Sequence, residues 1–153
     1  MPDFVAGEIV TANKMNQIPK GVLGYARRTS NITGLSGGPV DLPDLSVQVT
    51  VPAGRVLRVV GYVHAWSGPT EGEEANFSVR EGNNLLHNKR LVAGFTNRAE
   101  GGAVLALILP SAGTHTYKLS FQQITGSSNW TALASSQVPA YILVEDLGAD
   151  PNA

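Results

Sequence analysis

The side chains able to do chemistry are few and far apart. Three histidines, His64, His87 and His115, sit singly in strand-like stretches, and none has a Cys, Asp or Glu at metal-ligand spacing. Such isolated imidazoles fit partly buried or interfacial positions rather than a metal centre. A Ser-His-Asp hydrolase would need a nucleophile elbow, and no G-x-S-x-G occurs. The glycine-rich GLSGG at 34–38 lacks the lysine and following helix of a phosphate loop, so it reads as a turn. Glu71, Glu73 and Glu74 form an acidic loop with too few ordered oxygen donors for a calcium loop, and a solvated loop is the simpler reading. The Asn-x-Ser/Thr matches at Asn31, Asn76 and Asn129 are chance matches in a chain rich in those residues. No catalytic residue, cofactor or metal ligand is assigned.

The aromatics leave one alternative open. Tyr62, Trp66, Phe121 and Trp130 could line a carbohydrate groove if their rings were exposed as platforms. Each lies within a strand period, however, which favours core and interface packing.

Composition narrows the partners. Of 153 residues, 42% are apolar and only 15% charged, against the ~25% charged share of an ordinary soluble domain. Ser, Thr, Asn, Gln and Gly, or neighbouring protein, must cover the rest of the surface. A net charge of -1 supplies no basic footprint for nucleic acid and no polybasic membrane anchor. The longest apolar run, residues 103–110, is far short of the ~20 residues of a membrane span. Without cysteine, stability must come from burial, completed by oligomerisation. The N-terminus lacks a signal-peptide pattern, which predicts synthesis and solubility in the cytoplasm.

The elements that would position these groups are almost all strands. In residues 114–148, Tyr117, Leu119 and Phe121 alternate with Thr116, Lys118, Ser120 and Gln122, a one-sided strand. Leu45, Val47, Val49 and Val51 alternate with polar residues in the same way. Residues 55–66 are apolar on both faces: Leu57, Val59, Val63 and Ala65 on one, Val56, Val60, Tyr62 and Trp66 on the other. Residues 140–144 are also apolar on both faces, so both strands should be central, or covered on their second face by a loop or a neighbouring subunit. Further strands are expected at 22–29, 75–81, 85–92, 103–109 and 130–135, with a loop containing Phe95 at 93–102. Turn signals every 8–12 residues or so predict an all-β antiparallel sandwich of about 8–9 strands. Residues 1–20 differ. Thr11 can cap a short helix over 12–18, with Met15 and Ile18 on one face, ended by Pro19 and Gly21. So short a helix needs a surface to lie on. The predicted organisation is an arm over 1–20, a β domain over 21–148 and a tail over 149–153.

FVAGEIVTANKMNQIPKGVLGYA at 4–26 resembles the start of small virion proteins of tailed phages that infect actinobacteria. LSVQVTVPAGRVLRVVGYV at 45–63, SAGTHTYKLSFQQITGSSNWTALASS at 111–136 and PAYILVEDLG at 139–148 resemble the same group in the same order. The resemblance implies a head-decoration, minor tail or fibre protein whose domain is similar to trimeric jelly rolls of the tumour-necrosis-factor and C1q type. It implies a homotrimer in the virion, assembled in the host cytoplasm and bound to the major capsid protein or to tail proteins. A docking role falls on Phe4, Ile9, Val10, Met15 and Ile18, and a subunit-interface role on Tyr62, His64, Trp66 and Phe121. The alternative is a receptor- or carbohydrate-binding module that takes a host-surface glycan. Aromatic residues on exposed loops would mark it, and Phe95 and Trp66 lie near loops.

Overall fold

Alternating β-branched and aromatic residues, broken by Gly, Pro and Asn, leave the chain little choice but short strands. The computed structural model describes residues 18–152, and among them forms ten strands and no helix. They are β1 (Gly21–Arg28), β2 (Ile32–Leu35), β3 (Val40–Val51), β4 (Arg55–Ser67) and β5 (Glu74–Glu81). After them come β6 (Asn84–Val92), β7 (Arg98–Ile108), β8 (Gly113–Gln123), β9 (Trp130–Leu133) and β10 (Ala140–Ala149). Residues 12–17 of the expected helix, and the arm residues Phe4, Ile9, Val10 and Met15, lie outside the described residues.

Two antiparallel sheets result. In the larger, β4 is central. One edge of β4 pairs with β10 and then with the short β9, the other with β7; β1 extends β10, and β2 extends β9. The smaller sheet runs β3-β8-β5-β6. Their facing sides make a core from Leu57, Val59, Val63 and Trp66 of β4, Ile142 and Val144 of β10, and Tyr117, Leu119 and Phe121 of β8. Burying each such side chain contributes about 1.5–3 kcal/mol. Gly61 lets the sheets close: a Cβ there would lie 2.2 Å from a methyl of Leu119, so only glycine admits that leucine against the β4 backbone.

β2 goes beyond the nine or so strands expected. It is only four residues long, with Gly34 at a φ of 73°, and offers no alternation to read. β3 starts earlier than the alternation suggests, because the chain stays extended from Val40 through a kink at Pro43 and Asp44 (φ 64°). The register with β8 shifts across that kink.

Trp66 and Phe121 require a correction. Both are fully buried in the protomer's own core, where Trp66 packs edge-on to Phe77 at 5.4 Å and Phe121 lies 5.5 Å from both Trp66 and Trp130. Neither has surface left for a neighbouring subunit. Trp66 reaches the core because the side-chain phase of β4 slips. Val63 points inward, His64 and Ala65 are both turned away from the core, and Trp66 points inward again.

One end of the core is closed by charge. Asp146 and Arg55 occupy inward positions, both almost wholly buried. Arg55 donates from Nε to Oδ2 at 3.0 Å and from Nη2 to Oδ1 at 2.7 Å. The same Nη2 donates to the Ile18 carbonyl at 2.8 Å, and the Gly148 amide donates to Asp146 Oδ1 at 2.8 Å. Removing one partner of a buried pair leaves the other charge uncompensated. Asp146→Ala is therefore expected to cost about 3–5 kcal/mol in urea unfolding. A loss under about 1 kcal/mol, the scale of a solvent-screened pair, would contradict this account.

Candidate functional site

The two outer faces of the sandwich differ in kind. That of the smaller sheet is polar: Thr50 bonds Thr114 across strands at 2.8 Å, Gln48 reaches Thr116 at 3.4 Å, and Lys118 pairs with Asp41 at 2.6 Å. Water suits such a surface. The outer face of the larger sheet is mostly apolar. Pairing register places Tyr25, Leu143, Val60 and Leu105 in one row across β1, β10, β4 and β7. The next row is Arg27, Tyr141, Tyr62 and Ala103, and on the other side lies Val22, Glu145, Arg58 and Leu107. Tyr62 stacks on Tyr141 with ring centroids 5.3 Å apart, and Tyr25 leans on Tyr141 at 5.9 Å. The single ion pair within these rows joins Arg58 Nε to Glu145 Oε2 at 2.6 Å.

Strand spacing of ~4.8 Å and rise of ~3.3 Å give this face roughly 400 Å2 in projection. That is the size at which the largest patch of a monomeric protein is often functional. Tyr25 is 51% exposed and Leu107 63% exposed, so no described segment covers them.

Beyond the Tyr62 row, towards the β6–β7 turn, lies a cleft of about 490 Å3. Tyr62, His64, Thr96, Arg98 and Glu100 line it over Gly101 and Gly102. Of the four expected interface residues, Tyr62 and His64 thus stand on the outer side, Tyr62 half-buried and His64 exposed. The expected aromatic groove does not form, because Trp66, Phe121 and Trp130 are core residues. Phe95 is the most exposed aromatic among the described residues, 90% exposed in the β6–β7 turn.

The acidic loop has a structural task. Glu73 accepts from the amides of Thr70 at 3.0 Å, Ser127 at 3.0 Å and Ser128 at 3.3 Å, tying residues 68–73 to residues 124–129. Partial desolvation pushes its carboxyl upward, but these donors outweigh it and hold the group below the usual carboxylate range. Glu74 pairs with Arg90. Among the described residues, no group of three or more His, Cys, Asp or Glu side chains is placed to hold a metal ion.

His87 lies exposed on β6, whereas His115 is engaged through both ring nitrogens. Nδ1 lies 2.5 Å from Glu81 Oε1, and Nε2 lies 2.9 Å from the Ser111 carbonyl. Both partners are acceptors, so only the doubly protonated imidazolium satisfies both. The Glu81 contact and the Ser111 carbonyl raise the His115 pKa, and partial burial opposes them. The Tyr117 ring stacks parallel on His115, and its hydroxyl is pushed up to about 12 by burial and by the Glu81 charge. Glu81 sits 34 residues from His115, a separation no local motif announces.

No protein-family model matches the chain, and no curated protein matches it. Among solved structures it is similar to the VP2 subviral particle protein of infectious bursal disease virus. That superposition has a TM-score of 0.43 and 9% identity, and covers 97% of this chain and 42% of that one. The chain thus spans less than half the length of that protein. It is also similar to a family 6 carbohydrate-binding module of the laminarinase LamC from Zobellia galactanivorans, with a TM-score of 0.34, 15% identity and coverages of 81% and 92%. A xylan-binding domain from Paenibacillus barcinonensis gives a TM-score of 0.33, 11% identity and coverages of 83% and 88%. At such scores and identities, none of them assigns a function to this chain.

The His115 arrangement gives the domain a pH signature. A raised folded-state pKa contributes stability fully below the unfolded value of ~6.5, lost as pH rises through the folded value. The stability advantage of the natural chain over His115→Gln should therefore be complete near pH ~6 and fade at higher pH, measured by urea unfolding at a series of pH values. An advantage that grows with pH would contradict an imidazolium at this position.

Proposed function

We propose that the chain is a non-enzymatic structural protein of a bacteriophage virion, a homotrimeric jelly-roll sandwich acting as a capsid decoration or minor tail component. The observation that carries this reading is the apolar outer face of the larger sheet. A monomer would keep Tyr25, Val60, Leu105, Leu107 and Leu143 in contact with water at a cost of about 25 cal/mol per Å2. A neighbouring copy removes that cost. Strand order supports the jelly roll: with the short β2 and β9 set aside, β1-β10-β4-β7 faces β3-β8-β5-β6, the order of two interleaved Greek keys. In a three-fold ring the contact is heterologous, one face meeting a different surface of the next subunit. Tyr62 belongs to that face, and His64 stands at its margin. The copy number of three rests on the sequence resemblance.

Docking on the major capsid protein or on tail proteins falls to residues 1–20, through Phe4, Ile9, Val10, Met15 and Ile18. The grip of Arg55 on the Ile18 carbonyl suits that role, since it fixes the last residue of the docking set to the buried ion pair. The protein then resides in the virion, assembled in the host cytoplasm. A second reading, a carbohydrate-binding module of a tail fibre or tail tip, is favoured by Phe95, which is 90% exposed on a loop.

Analytical ultracentrifugation at micromolar concentration should show trimers. Leu105→Glu, which places a charge in the middle of the apolar face, should shift the chain to monomers with unchanged circular dichroism. Monomer alone from the natural chain would end the homotrimer. A chain lacking residues 1–17 keeps Ile18, and is expected to fold and trimerise but to be absent from purified particles. Normal incorporation of that truncation would remove the docking role from the arm.

A further inference from the structure

The cleft beyond the Tyr62 row is built by a paired irregularity in two strands. On β4 the alternation breaks at His64 and Ala65, and on β7 it breaks opposite them, between Ala99 and Val104, both of which are buried. Register is kept throughout, with Val63 still opposite Gly102 and Ala65 opposite Glu100. Two glycines make the break feasible. A Cβ on Gly101 would lie 2.0 Å from the Val63 carbonyl oxygen and 2.2 Å from that of His64, and Gly102 has a φ of 115°. Lys89 of β6 donates to the Gly101 carbonyl and pins the bend. The floor of the cleft is therefore bare backbone, the condition under which a ligand can approach a main chain closely.

The walls carry mixed chemistry. Arg98 and Glu100 both line the cleft, and neither enters an ion pair among the described residues. Thr96 and His64 add a hydroxyl and an imidazole, and Tyr62 forms an aromatic wall. Phe95 precedes the lining residue Thr96, in a turn closed by Asn97 N to Gly94 O at 3.2 Å and Gly94 N to Arg98 O at 2.7 Å. Bonds from Gly68 N to Asn97 O and from Ala93 N to Glu73 O tie the turn to residues 68–73, which Glu73 anchors in turn. The exposed ring is thus carried on a preorganised frame, so little ordering entropy remains to be lost on binding.

We propose that this cleft binds a neutral carbohydrate, with Arg98 and Glu100 hydrogen-bonding its hydroxyls and Tyr62 and Phe95 contacting its apolar C–H faces. An anion would meet Glu100 and a cation would meet Arg98, whereas a polyol both accepts from the guanidinium and donates to the carboxylate. The volume of about 490 Å3 falls in the ~300–1,000 Å3 range of small-ligand sites. The open rim suits the end of an oligosaccharide. This rests on the carbohydrate-binding reading and deepens it, and it does not require trimer formation, because every lining residue belongs to one chain.

The test uses the full chain on a printed array of neutral oligosaccharides, with the best binder carried into isothermal titration calorimetry and inorganic phosphate as the charged control. Binding is expected in the millimolar to micromolar range. Arg98→Ala and Glu100→Gln should each weaken it at least tenfold, and Phe95→Ala several-fold, with thermal melts unchanged because all three side chains are exposed. Leu105→Glu should abolish assembly yet keep the per-site affinity, which separates failure of the trimer from failure of the site. No binder on the array, wild-type affinity in the Arg98 and Glu100 variants, or phosphate binding in place of sugar would each overturn the proposal.

Discussion

The buried ion pair between Arg55 and Asp146 fixes the register of β10 on β4, and both faces of the larger sheet follow from that register. A slip of one residue would carry Arg55 and Asp146 apart and turn every core side chain of one strand outward. Two charges taken from water are costly, and a well-packed apolar pair of similar volume would serve stability equally well or better. What the pair contributes is alignment. With Asp146 opposite Leu57, one residue pair along from Arg58 and Glu145, the rows that follow bring Val60 to Leu143 and Tyr62 to Tyr141. The tyrosine stack and the apolar stripe are consequences of where a guanidinium meets a carboxylate some 20 Å away along the strands.

The contrast between the outer faces also explains the low charge of the chain. The smaller sheet meets water with threonine and glutamine, which solvate well and pair across strands, and with the Lys118–Asp41 ion pair. The larger sheet spends its outer positions on valine, leucine and tyrosine. Among the tyrosines there, Tyr62 stacks on Tyr141.

How much of this was legible in the sequence depended on whether a feature was local. The alternation of Leu45, Val47, Val49 and Val51, and of Tyr117, Leu119 and Phe121, put each set on one face of a strand, because a period of two needs no partner to be seen; that Phe121 faces its own core rather than a neighbouring subunit needed the fold. The doubly apolar stretches at 55–66 and 140–144 pointed to strands that are central or covered, and β4 and β10 lie side by side within the larger sheet. Trp66 was misplaced because the phase slip at His64 and Ala65 is enabled by Gly101 and Gly102, on another strand. Arg98 and Glu100 became visible as site residues only once β7 lay beside β4, although Tyr62, His64 and Phe95 could be singled out by type. The pairing of His115 with Glu81, and the grip of Glu73 on the amides of Ser127 and Ser128, are likewise non-local and carry no motif.

The phase slip links stability and recognition in a single departure from regularity. Strict alternation from Val63 would have sent Trp66 to the outer face and Ala65 to the core, as the sequence pattern suggests. The core would then lack the large ring that packs on Phe77 and Phe121, a loss of about 3–5 kcal/mol on the scale of deleting a buried aromatic. Turning both His64 and Ala65 outward instead brings Trp66 into the core, and it costs a local bend that only a glycine pair can follow. The bend strips side chains from the backbone and sets His64, Arg98 and Glu100 around the gap. A core requirement thus opens the cleft, and the polar residues on its rim are free of any packing role.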